Sequence, residues 1–283
     1  MPELPEVETV RRGLEQRTTG MTIARLEVLR ARAIAAPPDP DLFALALTDT
    51  RVSRWRRRGK YLLADLQHSA DGDTAGQWGV HLRMTGQFLW LESEQPPCAH
   101  TRVRIWSEQG PELRFVDTRS FGEMWWVPPG RATESVITGL ARLGPEPFSE
   151  AFDADHLHQR LRRSSRPIKT ALLDQTLVAG VGNIYADESL FAAGIRPHTP
   201  SQQLLLPQLE TLRQALVEVL QTSIGAGGTT FSDFRDLTGT NGNYGGVAWV
   251  YRRSGQPCRR CGTPIQRERL GGRSSHWCPS CQS

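Results

Sequence analysis

Lysine is nearly missing from this chain: among 34 basic residues in 283, only Lys60 and Lys169 are not arginine. Where unspecific positive charge would suffice the chain uses arginine, so its two lysines mark places that need a compact, rotatable ammonium. Long apolar runs are missing too. No run approaches membrane-spanning length and the N-terminus lacks a basic-then-apolar leader, so the reading is a soluble, cytoplasmic protein with no membrane partner. Cysteine is sparse, with five residues and no secretory context, which argues against a disulfide framework. Internal repeats are absent, and the length suggests two domains with real cores.

What charge there is lies unevenly. Residues 51–60 carry Arg51, Arg54, Arg56, Arg57, Arg58 and Lys60 with no acid, and residues 252–273 carry seven arginines against Glu268 alone. The net charge of the whole chain is only +4, so the remainder is acidic. Two concentrated basic stretches on an otherwise acidic chain point to a polyanion partner.

The first residues are unusual. The chain opens Met1-Pro2-Glu3-Leu4-Pro5-Glu6-Val7-Glu8. A small second residue permits removal of the initiator methionine, which leaves a secondary amine on Pro2. Pro5 suits a first helical turn, and Val7, Val10 and Leu14 follow at helical spacing. The positive end of that helix favours the neutral, nucleophilic amine. An α-amino group titrates near about 7.7–8.0, so a small depression is enough at neutral pH.

Cys258-x2-Cys261, sixteen residues, then Cys278-x2-Cys281 is a zinc-site spacing. Four thiolates close the tetrahedron and leave no position for water, so the metal is expected to be one structural Zn2+. Between the pairs, 264–269 and 274–277 flank Leu270-Gly271-Gly272-Arg273, which reads as a β-hairpin with Arg273 at or near its tip. Cys98 has no evident role.

Along the chain, strands are expected at 23–29, 61–66, 80–91, 101–106, 112–117 and 124–127. Short strands with turns between them predict a β-sandwich that ends at Pro128-Pro129-Gly130. From residue 155 the period becomes helical, with helices expected at 156–163, 168–174, 184–193 and 204–223. Gly180-Val181-Gly182-Asn183 lies between two of them, with Asn183 as a candidate cap over an anion-binding helix start. The glycine-rich stretch 223–246 is too polar for core and too long for a connection, so it is read as a loop that closes over a ligand.

These motifs resemble the formamidopyrimidine-DNA glycosylase family. The resemblance runs from Pro2 to Cys281. It is carried by the Pro-Glu-Leu-Pro-Glu-Val-Glu-Thr opening, Gly-Lys-Tyr-Leu at 59–62, His-Leu-Arg-Met-Thr-Gly at 81–86, Asp-Thr-Arg-Ser-Phe-Gly at 117–122, Gly-Val-Gly-Asn-Ile-Tyr at 181–186 and the zinc finger. It implies an α+β multidomain protein: an N-terminal β-sandwich with an N-terminal helix (1–133), a linker (134–150), a helix–two-turns–helix domain with the lesion-covering loop (151–248) and a zinc β-hairpin finger (249–283).

The implied activity is that of a monomeric DNA glycosylase and abasic-site lyase in base excision repair, acting on 8-oxoguanine and formamidopyrimidines in damaged double-stranded DNA. By the same resemblance Pro2 is the nucleophile, Glu3 the acid that opens the sugar ring and Glu6 a residue that positions the site. Lys60 assists β-elimination and Arg273 assists δ-elimination. Met84, Arg119 and Phe121 match the trio that fills the gap left by an extruded base. His100, Lys169 and Asn183 match backbone contacts, and Thr229 and Thr230 lie in the covering loop. Relatives often carry a basic residue near position 165. Here Ser165 lies between Arg163 and Arg166, which leaves open which of them meets phosphate. Two other readings stay in view: an endonuclease VIII-like glycosylase for oxidised pyrimidines, and a non-catalytic zinc DNA-binding protein.

Overall fold

The computed structural model describes residues 1–229 and 246–283; Thr230 and the rest of the expected covering loop to residue 245 lie outside the described residues. Contacts divide the described chain into two units, one built on Met1–Ala141 with residues 227–229, the other on Arg142–Ala226 with residues 246–283.

In the first unit, α1 (Leu4–Thr18) begins one residue ahead of Pro5, the expected first helical position, and buries Leu4, Val7, Val10 and Leu14. The strands are β1 (Ile23–Val28), β2 (Ile34–Ala36), β3 (Thr50–Arg58), β4 (Tyr61–His68), β5 (Thr74–His81), β6 (Gly86–Leu91), β7 (Thr101–Ser107), β8 (Glu112–Asp117) and β9 (Glu123–Val127), with α2 (Pro40–Leu47) before β3. They form a four-stranded sheet, β1-β7-β8-β6, and a five-stranded sheet, β2-β9-β5-β4-β3. All neighbours are antiparallel except β2 and β9. Aromatic rings line the space between the sheets: Trp55 meets Trp78 at 5.3 Å within the five-stranded sheet, Phe88 meets Phe115 at 5.2 Å within the four-stranded one, and Trp78 meets Phe88 across the two at 5.9 Å between ring centroids. Offset and edge-on rings of this kind fill a sandwich core densely.

Two differences from the sequence reading are instructive. The expected strand 80–91 is two strands, because Arg83 adopts φ +52° and turns the chain between β5 and β6. The basic run 51–60, read only as a charge patch, contains strand β3. There Val52 and Trp55 face the core, Arg56 pairs with Asp65 at 2.6 Å and Arg57 with Glu8 at 3.2 Å. Part of its charge is therefore neutralised by acids outside the run, Asp65 on the paired strand β4 and Glu8 on α1.

Two short turns lie at the boundary between the units: α3 (Thr133–Val136) in the first, and a 3-10 turn at Leu140–Arg142 whose last residue opens the second. The second unit contains α4 (Ala154–Leu161), α5 (Ile168–Leu172), α6 (Asn183–Ala192), α7 (Leu206–Gly225) and the hairpin β10 (Gln266–Leu270)–β11 (Arg273–Trp277). Gly182 rather than Asn183 is the N-cap of α6, and Asn183 is its first helical residue. Gln175 braces the glycine turn before it, donating to Val181 C=O at 2.8 Å and accepting from Gly180 N–H at 2.9 Å. No helix among the described residues is long and apolar enough to cross a membrane.

Candidate functional site

At the N-terminus, Pro2, Glu3 and Glu6 are all buried. Glu6 organises the segment. Its Oε2 accepts from Glu3 N–H at 2.8 Å, and its Oε1 accepts from both the backbone N–H and the hydroxyl of Thr229, at 2.8 and 3.0 Å. Thr229, 223 residues away in sequence, is thereby tied to the first turn of α1. Gly228 suits this place because its φ is +82°, and a Cβ there would also crowd Glu6 Oε1 at 3.1 Å.

Lys60 sits in the two-residue turn between β3 and β4, after Gly59 at φ +55°, and only 7% of it is exposed. Beside it is His81, whose ring meets Tyr61 edge-on at 4.6 Å. Burial, then the charges of Arg83 and Lys60, push the His81 pKa down to about 3, so it is neutral at physiological pH. Its Nδ1 accepts from Arg83 N–H at 3.0 Å, which leaves the proton on Nε2. In the sequence His81 is one residue of the His-Leu-Arg-Met-Thr-Gly motif; its proximity to Lys60 comes from the pairing of His81 with Tyr61 across β4 and β5.

Met84 and the pair Arg119/Phe121 stand on two neighbouring loops joined by one carboxyl group. Asp117, fully buried at the end of β8, accepts from the Thr85 hydroxyl, from Arg119 N–H at 3.1 Å and from Gly122 N–H at 2.7 Å. The Thr85 hydroxyl also accepts from Arg119 N–H at 3.1 Å. Arg83 and Ser120, adjacent to these side chains, both adopt positive φ, at +52° and +54°. Such backbone is held only where its surroundings over-determine it. Gly122 cannot gain a Cβ, which would stand 2.6 Å from Phe115 Cζ. On this platform Phe121 is 40% exposed, and the Arg119 guanidinium lies 4.9 Å from its ring centroid. His100 is exposed, and its C=O accepts from Asp117 N–H at 2.9 Å, which brings it beside this platform.

In the second unit, Arg163 and Ser165 are exposed, whereas Arg166 is engaged with Asp174 at 2.9 Å. Asn183 donates to the Ser274 hydroxyl at 3.3 Å. Arg273 is exposed as the first residue of β11, after Gly271 and Gly272 at φ +55° and +79°, so the expected tip is a two-residue turn of the type glycine permits. Lys169 differs from its expected place on DNA: its side chain is 1% exposed and pairs with Asp187 at 2.6 Å.

The four cysteine sulfurs of Cys258, Cys261, Cys278 and Cys281 lie within 4.8 Å of one another, with Cys258–Cys281 at 3.9 Å and Cys261–Cys278 at 3.4 Å. Sulfurs about 2.3 Å from one zinc ion stand about 3.8 Å apart in a tetrahedron, so the set fits that metal. Without a cation the thiols cannot all ionise together: burial and the neighbouring sulfurs push Cys281 up to about 12, while hydrogen bonds at Thr263 draw Cys261 down to about 6.

Family models match three stretches: the formamidopyrimidine-DNA glycosylase N-terminal domain over residues 1–124, the H2TH domain of the same enzymes over 143–235, and a zinc finger found in FPG and IleRS over 255–283. A formamidopyrimidine-DNA glycosylase of Parasynechococcus marenigrum is 67% identical over the full length of both chains. The chain belongs to the formamidopyrimidine-DNA glycosylase family. Solved structures agree. A Lactococcus lactis Fpg in complex with abasic-site DNA superposes with a TM-score of 0.89 at 34% identity, covering 99% of each chain. The wild-type Lactococcus lactis enzyme with N7-benzyl-Fapy-dG DNA gives 0.89 at 35% identity, covering all of both chains.

As a member of this family, the chain has an α+β architecture with an N-terminal β-sandwich, a helix–two-turns–helix region and a C-terminal hairpin finger whose four cysteines make a closed site for one structural zinc. The finger is seated by its own last residues. Gln282 accepts from Cys278 N–H and donates to Ile195 C=O, both at 2.8 Å. Glu188, also not singled out from sequence, is fully buried on α6 and accepts from the N–H groups of Trp249, Val250 and Tyr251 at 2.8–2.9 Å, fixing the chain that enters the finger. Burial pushes its carboxyl pKa upward.

Proposed function

We propose that this chain is a bifunctional DNA glycosylase and abasic-site lyase that excises oxidised purines, 8-oxoguanine and formamidopyrimidines, from duplex DNA. The observation that carries the reading is the Asp117 platform. It presents an exposed aromatic edge, a flexible thioether and a guanidinium fork on two loops whose backbones are locked. A base extruded from the stack leaves a gap and an orphaned partner; Met84 and Phe121 replace the lost stacking and Arg119 satisfies the partner base. Extrusion costs a few kcal/mol, which wedge insertion and phosphate contacts offset.

In the chemistry proposed, the Pro2 amine attacks C1′ of the damaged nucleotide, the base leaves, and a cationic iminium forms. That cation acidifies the 2′ position, so strand cleavage follows base loss by β- and then δ-elimination. Glu3 supplies a proton to open the sugar ring, Glu6 holds Glu3 and Thr229 in place, Lys60 assists the first elimination and Arg273 the second. His100, Asn183, Arg163 and Ser165 meet the DNA backbone, and Thr229 and Thr230 belong to the loop over the extruded base. Cys258, Cys261, Cys278 and Cys281 hold the zinc that shapes the finger. The enzyme acts as a monomer in the bacterial cytosol and nucleoid.

Matched duplexes carrying 8-oxoguanine or thymine glycol test the substrate class. Faster release of 8-oxoguanine is expected, and faster thymine glycol release would transfer the protein to the endonuclease VIII-like type. Arg119→Ala is expected to erase most of the preference for cytosine opposite the lesion. A bidentate contact to one base is worth about 1–3 kcal/mol, so discrimination should fall at least roughly fivefold. Equal discrimination by both proteins would remove Arg119 from that role.

A further inference from the structure

Lys169 is one of only two lysines in the chain, and its ammonium is spent inside the protein. Nζ lies 2.6 Å from Asp187 Oδ1 and donates to Ser274 C=O, also at 2.6 Å. The other oxygen of Asp187 accepts from His276 N–H at 2.9 Å and stands 3.1 Å from His276 Nδ1, while the Ser275 hydroxyl approaches Oδ1 at 3.4 Å. Asn183 holds the Ser274 side chain. The first three of the four residues that follow Arg273 in β11 are therefore held by groups on α5 and α6.

A two-stranded hairpin is marginal by itself, and the outer strand β10 is largely solvent-exposed. The tip is seated as well, since a Cβ on Gly271 would stand 3.1 Å from the hydroxyl of Thr170, next to Lys169. A buried ion pair contributes little net stability, because desolvation offsets its attraction; what it can fix is position. Lysine suits the task where arginine does not, as a compact charge that fits between one carboxyl oxygen and one carbonyl oxygen.

We propose that Lys169 and Asp187 are positioning residues: a buried latch that holds β11 so that Arg273 is presented to the sugar-phosphate for the second elimination. Lys169 serves this role in place of a phosphate contact. The inference rests on the function proposed above for Arg273.

The test uses full-length, zinc-loaded protein with a verified Pro2 terminus, acting on an abasic-site duplex. In Lys169→Met the ratio of δ- to β-elimination product is expected to fall at least fivefold, while the slope of log K against log salt for DNA binding stays at the wild-type value. Loss of a phosphate contact would lower that slope by about 0.9. A lowered slope with an unchanged product ratio would overturn the latch and return Lys169 to the DNA. If the single variant fails to fold, the neutral double variant Lys169→Met/Asp187→Asn leaves no lone buried charge; its product ratio should be just as low, and a wild-type ratio would overturn the latch. Wild-type protein that makes no δ product would instead overturn the reading of Arg273, and the latch with it.

Discussion

With an uncleaved extension left ahead of Pro2, the protein is expected to lose base excision and strand cleavage together, by roughly three orders of magnitude or more. An acylated nitrogen has no lone pair to offer C1′, so both reactions lose the same nucleophile. The buried setting explains why the residue matters beyond its basicity. Pro2 and Glu3 precede a helix whose first turn is fixed by Glu6, and Glu6 in turn holds Thr229. Pro2→Gly keeps a terminal amine but replaces the permanently cationic iminium with an imine that must be protonated and a backbone that is free to move. Its loss should be smaller than that caused by the extension but still large, about a hundredfold. Measuring 8-oxoguanine release and abasic-site cleavage on one duplex for all three proteins checks the order. Equal activity of the extended and processed forms would remove Pro2 from the chemistry.

Replacing Cys258 and Cys261 with serine is expected to release the zinc and weaken binding to abasic-site DNA by about a hundredfold or more. Structural zinc in small fingers supplies most of the free energy that folds them. The hairpin that carries Arg273 is bounded by the two cysteine pairs, and the Cys258 and Cys278 side chains pack with Phe191, Val250 and Ile265 in the only apolar cluster of the finger among the described residues. The sandwich has its own core, from Val7 to Met124, so its thermal transition should persist. Metal analysis, DNA titration and calorimetry on the double variant check the three parts. Undiminished affinity after complete zinc loss would show that the finger does not grip DNA.

The features legible from sequence are those set by local spacing. The cysteine pairs, the glycine turn before Arg273 and the helix over Val7, Val10 and Leu14 depend on residues within a few positions of one another, and each stands where expected. Resemblance added the three-part architecture. What stayed hidden depends on partners far apart in the chain. The charge run at 51–60 gave no sign that Glu8 and Asp65 would pair with two of its arginines, nor that Trp55 within it would be core. Lys169 was readable as a special cation but not as a buried one, because its carboxyl partner is on the next helix. Asp117 looked like one letter of a motif until strand pairing placed Gly86 opposite it and brought Thr85 to its carboxyl.

A covalent bond between the first residue and deoxyribose underlies every proposed step. Borohydride reduction of the protein in the act of cleaving an abasic-site duplex, followed by proteolysis and mass mapping of the trapped species, tests this directly. The expected result is a stable adduct on the N-terminal peptide, with the added mass on Pro2. No adduct from protein with a verified Pro2 terminus, or an adduct mapped to the Lys60 peptide, would contradict it.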